Sequence, residues 1–201
     1  MRKIIVHQHI TLDGIIQAPG GPQEDTSNHF RFGGWIAPFS DAHLQKILFQ
    51  QMNSAFDLLV GRKTFEIWES FWPNHGDLWP NINSAHKYVA SNTRLTSSWQ
   101  PSHFIGGDVV TSIQHLKQQA GPAIHVWGSS VLMQTLMQHD LVDEFRLFVY
   151  PITLGQGKRL FGAGTLPAAF RMVDSYSSAC GVIYLHLERK GAVETGTAGK
   201  E

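Results

Sequence analysis

In Asp57-Leu58-Leu59-Val60-Gly61-Arg62-Lys63-Thr64-Phe65-Glu66, an apolar run stops at a glycine, and two cations and a hydroxyl follow where a helix begins. A buried strand, a glycine turn and a helix N-terminus together build an anion site. The unpaired N–H groups of the first helical turn and the positive end of the helix dipole point at whatever sits there. The same logic returns about sixty residues on, in Ala123-Ile124-His125-Val126-Trp127-Gly128-Ser129-Ser130-Val131-Leu132. There the strand ends at Gly128 and the helix starts on Ser129-Ser130. Either unit alone also fits a turn made for packing. The pair points to a ligand with several phosphates, and a dinucleotide is the obvious one. Arg62 suits a phosphate monoester, because its planar fork donates two parallel hydrogen bonds.

Composition narrows the partners. The formal net charge of the 201-residue chain is zero, so nothing draws it toward nucleic acid or an anionic membrane over a distance. Phosphate recognition must therefore be local. Cys180 is the only cysteine, which rules out an intrachain disulfide and a Cys-based zinc site. Its neighbours Ala179, Val182 and Ile183 indicate a buried, inert thiol. Met1-Arg2-Lys3-Ile4-Ile5-Val6 turns polar too soon for a signal peptide or a membrane span, so a cytoplasmic protein is expected.

Apolar periodicity gives the order of elements. A strand is expected over 4–10, with His7 and His9 on one face, and a helix over 40–55 capped by Ser40. Residues 18–38 are Gly/Pro-rich and polar, a length of loop that is usually functional or disordered. The two strand–glycine–helix units, a short strand over 87–91, a helix over 109–119 and a strand over 145–150 follow. A hairpin over 170–175 and 181–187 comes last, and residues 191–201 read as a disordered tail after a single domain spanning 1–190. Alternating strands and helices with hairpin strands at the end imply a mostly parallel sheet with helices on both faces.

Other motifs carry less. Gly155-Gln156-Gly157-Lys158-Arg159 lacks the Walker pattern, with Ile152 and Arg159 where glycine and a hydroxyl are needed. It also lacks the third glycine of the Rossmann fingerprint, since Leu160 stands there, and a mobile or bulged loop is the better reading. Trp127-Gly128-Ser129-Ser130 lacks the spacing of a nucleophile elbow. His7, His9 and Asp13 lack a third well-placed ligand, so no metal site is expected. Trp68, Phe71, Trp72 and Trp79 crowd a short irregular stretch; core packing accounts for some of them, and the functional alternative is an aromatic wall for a flat substrate ring, with Trp68 and Trp72 as its candidates.

Six stretches, in this order, resemble the dihydrofolate reductase-like superfamily. They are Thr11-Leu12-Asp13-Gly14, Gly61-Arg62-Lys63-Thr64-Phe65-Glu66, Lys87-Tyr88-Val89-Ala90-Ser91, Trp127-Gly128-Ser129-Ser130, Leu141-Val142-Asp143-Glu144-Phe145-Arg146-Leu147 and Pro151-Ile152-Thr153-Leu154-Gly155-Gln156-Gly157-Lys158-Arg159-Leu160-Phe161. The resemblance is closer still to the branch holding the reductase domain of the riboflavin-biosynthesis deaminase–reductase and its stand-alone relatives. It covers about residues 4–189.

The resemblance implies a three-layer α/β sandwich around a mixed, mainly parallel sheet with an antiparallel C-terminal hairpin, and NADPH as cofactor. Arg62 would reach the adenosine 2′-phosphate, with Ser91, Asn92 and Thr93 nearby. Lys63 and Thr64, beyond the Gly61 turn, would meet the pyrophosphate from one side. Gly128, Ser129, Ser130 and Val131, following Trp127, would hold it from the other. His9 and Ile16 would flank the nicotinamide, and Asp13 and His9 are the candidate proton donors by position.

Two departures count against dihydrofolate as substrate: helix 40–55 carries only Asp41, and residues 71–87 contain no arginine. With one cysteine, the zinc site of the deaminase half is absent too. The reading is an NADPH-dependent reductase of a small heterocyclic (pterin- or pyrimidine-like) or carbonyl substrate. The alternative is a nucleotide-binding protein of the same fold without turnover. A homodimer is expected from the aromatic excess of residues 145–150 and the edge left by a terminal hairpin.

Overall fold

The computed structural model describes residues 1–199. Eight strands form one sheet: β1 (Ile4–Thr11), β2 (Phe56–Gly61), β3 (Lys87–Ala90), β4 (Ser102–Ile105), β5 (Ala123–Trp127), β6 (Glu144–Tyr150), β7 (Ala169–Ser177) and β8 (Ile183–Gly191). Their spatial order is β4-β3-β2-β5-β1-β6-β8-β7. The first six are parallel, and β8 and β7 are antiparallel at one edge. Strands covered on both faces are buried along their length, as β1 and β2 are; β2 keeps the apolar run Leu58-Leu59-Val60, whereas β1 carries His7, Gln8 and His9 toward its C-terminal end.

Four helices cover the sheet: α1 (Ala42–Asn53), α2 (Arg62–Glu69), α3 (Val109–Gln118) and α4 (Ser130–Gln138). Because side chains alternate along a strand, β2 splits its residues between two cores, Leu59 on one face and Leu58 and Val60 on the other. Ile4, Val6 and Ile10 pack with Ile113, Leu116, Leu132, Met133 and Leu136 of α3 and α4. On the other face, Leu58 and Val60 pack with Phe65 of α2 and with Leu48 and Met52 of α1. The result is a three-layer α/β sandwich with an antiparallel hairpin.

Details depart from the expectations. Asp41, not Ser40, caps α1, and its carboxylate accepts from Leu44 N–H at 2.9 Å. β4 had no signal in its sequence Ser102-His103-Phe104-Ile105, which is short and half polar; it forms because β3 offers it an edge. β6 is interior, between β1 and β8, so Phe145, Phe148 and Tyr150 are buried within this chain. Those aromatics do not provide the dimer surface expected of them. The edge strand at the hairpin end of the sheet is β7, where Met172 and Val173 are exposed. Beyond Gly191 the described residues form no regular structure, and Lys200 and Glu201, the end of the expected tail, lie outside the described residues.

Candidate functional site

The C-terminal ends of β1, β2 and β5 open onto a cleft of about 990 Å³. Ligands bind at this end of parallel strands because the following helices start there. β2 runs directly into α2 with Gly61 as its N-cap, and β5 runs through Gly128 into α4. The two turns touch. Gly61 N–H donates to Ser129 Oγ at 2.8 Å, and a Cβ on Gly128 would lie 3.1 Å from Thr64 Cγ2. Gly128 and Ser129 both have positive φ, +58° and +65°, which swings the chain sharply into α4. Glycine adopts that conformation freely, whereas serine is strained in it.

Around these turns the cleft is rich in donors. Gly61, Arg62, Lys63 and Thr64 line it from the β2–α2 turn, Gly128, Ser129, Ser130 and Val131 from the β5–α4 turn, and Ser91 and Asn92 from just beyond β3. Thr93 lies outside the lining, and its N–H donates to Ser91 Oγ at 3.3 Å. The Arg62 guanidinium is half exposed and donates to both carboxylate oxygens of Glu66 at 3.0 Å, one turn along α2.

Aromatic and apolar residues form the rest. Trp68 and Trp72 line the cleft edge-to-face at 6.0 Å. Trp79 behind them is buried and donates through Nε1 to Met52 O. Trp79 is thus almost wholly buried at the back of the cleft, and Trp68, Phe71 and Trp72 stand further forward on its wall. Trp127 stacks on His7 with ring centroids 4.5 Å apart.

His7 and His9 both line the cleft from β1, along with Ile16. Gln51 Nε2 donates to Tyr184 Oη, so its Oε1 faces His7 and accepts from Nδ1 at 2.9 Å. Burial, then the neighbouring His125, pushes the His7 pKa well below its usual value. Burial lowers His9 to about 4, and its Nδ1 lies 2.9 Å from Tyr150 Oη. Both imidazoles are therefore neutral at pH 7.

Asp13 stands apart from the cleft. Its carboxylate accepts from Thr11 Oγ1 at 2.5 Å and from the N–H groups of Leu154 and Gly155. Desolvation alone would raise its pKa, but these bonds hold it below the ordinary carboxylate value. Asp13 thus anchors the glycine loop at 155–157 to the end of β1. That loop is fixed further by Ile16 N–H to Lys158 O and by Lys158 N–H to Gln17 Oε1.

Sequence reasoning missed one wall. Gln17, Glu24, Asp25 and Lys158 also line the cleft. Lys158 pairs with Asp25, and Gln17 Nε2 donates to Asp25 O at 3.0 Å. The only signal was the length of the loop over 18–38, which hinted at function but not at which residues face inward.

Comparison with known proteins agrees with this architecture. The model of the RibD C-terminal domain family matches residues 2–184. YyaP, an uncharacterised protein of Bacillus subtilis, is 30% identical over 190 residues, 92% of this chain and 93% of its own. A structure assigned by name to riboflavin biosynthesis, from Shewanella, superposes with a TM-score of 0.70 at 23% identity, covering 94% of this chain and 99% of the other. Dihydrofolate reductase of Enterococcus faecalis, solved with NADP(H) and RAB-propyl, gives a TM-score of 0.60 at 13% identity over 93% and 96% of the two chains. At such identities these structures share the fold.

Proposed function

This chain belongs to the RibD C-terminal domain family, and we propose that it is an NADPH-dependent reductase of a small heterocyclic (pterin- or pyrimidine-like) or carbonyl substrate, working in the cytoplasm. The observation that carries the proposal is the pair of glycine turns joined by Gly61 N–H and Ser129 Oγ, with two helix N-termini opening on one cleft. The donor set fits the cofactor. Lys63 and the free N–H groups of α2 and α4 suit a pyrophosphate, and Arg62 suits a 2′-phosphate. Ile16 and His9 would border the nicotinamide, and Trp68 and Trp72 the substrate ring. When bound, the nicotinamide supplies hydride, and the residues of this chain hold donor and acceptor in register and keep water out. Titration with NADPH, followed by nicotinamide fluorescence, tests the foundation; no binding at millimolar cofactor would sink it.

A second reading, nucleotide binding without turnover, is favoured by one observation. Asp41, the sole carboxylate in the α1 region, is spent capping that helix. NADPH that binds but is never oxidised across a panel of pterins, pyrimidines and quinones would favour this reading, and steady turnover of any one would end it.

We also infer a homodimer assembled through β7, the open edge that carries Met172 and Val173. Light scattering at micromolar concentration should give twice the 22.5 kDa of one chain.

A further inference from the structure

We propose that Glu24 is the proton donor of the cleft, delivering a proton to the substrate nitrogen or oxygen beside the carbon that receives hydride. This rests on the reductase reading above and assigns a role that reading leaves open. Glu24 and Asp25 are the carboxylates among the described residues lining the cleft. Their loop is fastened to the nicotinamide end. Gln17, next to Ile16, holds Asp25 O, Lys158 pairs with the Asp25 carboxylate, and Ile16 N–H donates to Lys158 O.

Asp25 is thereby committed to a cation and stays ionised, whereas no cation is paired with Glu24 among the described residues. The Glu24 carboxylate instead accepts from Gly20 N–H at 2.7 Å, in a turn closed by Glu24 N–H to Gly21 O. Gly20 stands where a Cβ would come within 3.2 Å of Glu24 Oε2. The backbone so fixes the carboxyl group at the cleft wall, and no side chain among the described residues bonds to it. Burial lifts the Glu24 pKa above its ordinary value, and the Asp25 charge beside it adds to the lift, against the N–H bonds of Gly20 and Gly21.

The other titratable groups of this end do not compete. His7 and His9 are neutral and engaged at Nδ1, Lys158 is paired, and Asp13 lies outside. Arg62 and Lys63 belong to the phosphate end. The step balances. A C=N or C=O carbon gains hydride and its heteroatom gains the Glu24 proton. The nicotinamide is left oxidised, and the carboxylate regains a proton from water.

The test uses carbon-13 NMR of protein labelled at the glutamate carboxyls, with and without NADPH. Glu24→Gln identifies the resonance and keeps an acceptor for Gly20 N–H. The expected result is one glutamate titrating above the usual range whose shift moves when NADPH binds. A Glu24 resonance with an ordinary pKa, or one that ignores bound NADPH, would overturn the assignment. With any substrate of the panel that turns over, Glu24→Gln should lower kcat about 100-fold or more while leaving NADPH affinity unchanged, and Glu24→Asp should restore part of the rate. Equal kcat and pH profile in Glu24→Gln would also overturn it. Failure of NADPH to bind at all is a separate result, which removes the reductase reading itself.

Discussion

Gly61 and Ser129 lie 68 residues apart, yet the N–H of the first donates to the hydroxyl of the second at 2.8 Å. The hydroxyl that begins one helix thus positions the turn that begins the other. Neither phosphate-facing turn can shift without the other feeling it.

Replacing Ser129 separates its two contributions. Ser129→Ala loses the bond to Gly61 but keeps the strained backbone at φ +65°, and should destabilise by about 1–2 kcal/mol and weaken NADPH several-fold. Ser129→Gly loses the same bond but relieves the strain, so its stability should stay close to wild type while cofactor binding still suffers. Urea denaturation and NADPH titration of both variants check this; equal destabilisation by alanine and glycine would show the strain is immaterial.

Cofactor choice should rest on Arg62. A charge-assisted bidentate contact contributes about 1.5–3 kcal/mol, roughly ten- to a hundredfold in affinity. Arg62→Ala should therefore weaken NADPH by that factor and leave NADH nearly unchanged, whereas Lys63→Ala should weaken both. The preference should also shrink with salt, since the guanidinium is partly exposed. Because Glu66 holds Arg62 in the structure, Glu66→Gln should tighten NADPH by about two- to fivefold. An equal loss of NADH and NADPH in Arg62→Ala would remove Arg62 as the discriminator.

Acid should unfold this protein early. Burial, then Arg146, lowers His125 to about 3, so between that pH and the unfolded value near 6.5 the unfolded chain binds a proton that the native state refuses. The contribution is fully present above pH 6.5 and is lost as pH falls, about 2 kcal/mol from His125 at pH 5. His7 and His9 act in the same direction. His125→Phe, which can keep the stack on Phe56, should reduce the drop in urea midpoint between pH 7.5 and 5. An unchanged drop would acquit His125.

Lys87 should give the opposite edge of the profile. It is fully buried, donates to the carbonyls of Asn83 and Ala85, and sits 4.6 Å from the Trp99 ring centroid. Desolvation lowers it to about 8. Between pH 8 and 10 the unfolded state holds the proton and the native state has released it, so stability should rise with pH, by roughly 2–3 kcal/mol. The raised tyrosines, Tyr150 and Tyr184, oppose this only above about pH 10. Lys87→Met should flatten the rise in urea midpoint; a slope unchanged by the substitution would show that another group titrates.

What could be read in advance was local. The strand–glycine–helix units announce themselves because a buried parallel strand must be apolar and the turn after it must approach closely, as Gly61 and Gly128 do. Ser129's hydroxyl was visible as a helix start, but its bond to Gly61 was not, because it depends on β2 and β5 being neighbours. The wall made by Glu24, Asp25 and Lys158 was hidden for a similar reason. Its residues sit in irregular backbone, where no period marks an inward face, and an ion pair spanning 133 residues brings them together. Asp13 looked exposed to chemistry, and the structure instead gives it the amides of Leu154 and Gly155.

The placement of β1 has a consequence for how the molecule is made. Its neighbours are β5 and β6, with Ile4 opposite Ile124 and Ile5 opposite Glu144. β1 therefore leaves the ribosome long before either partner has been made. A fragment ending before Ala123 would leave β1 unpaired on both sides and its apolar faces bare, a target for chaperones and proteases. Pairings so distant in sequence also make folding slow relative to chains of this size built from local contacts. The cleft, whose floor is β1 and whose turns flank β2 and β5, comes into being only when that closure is complete.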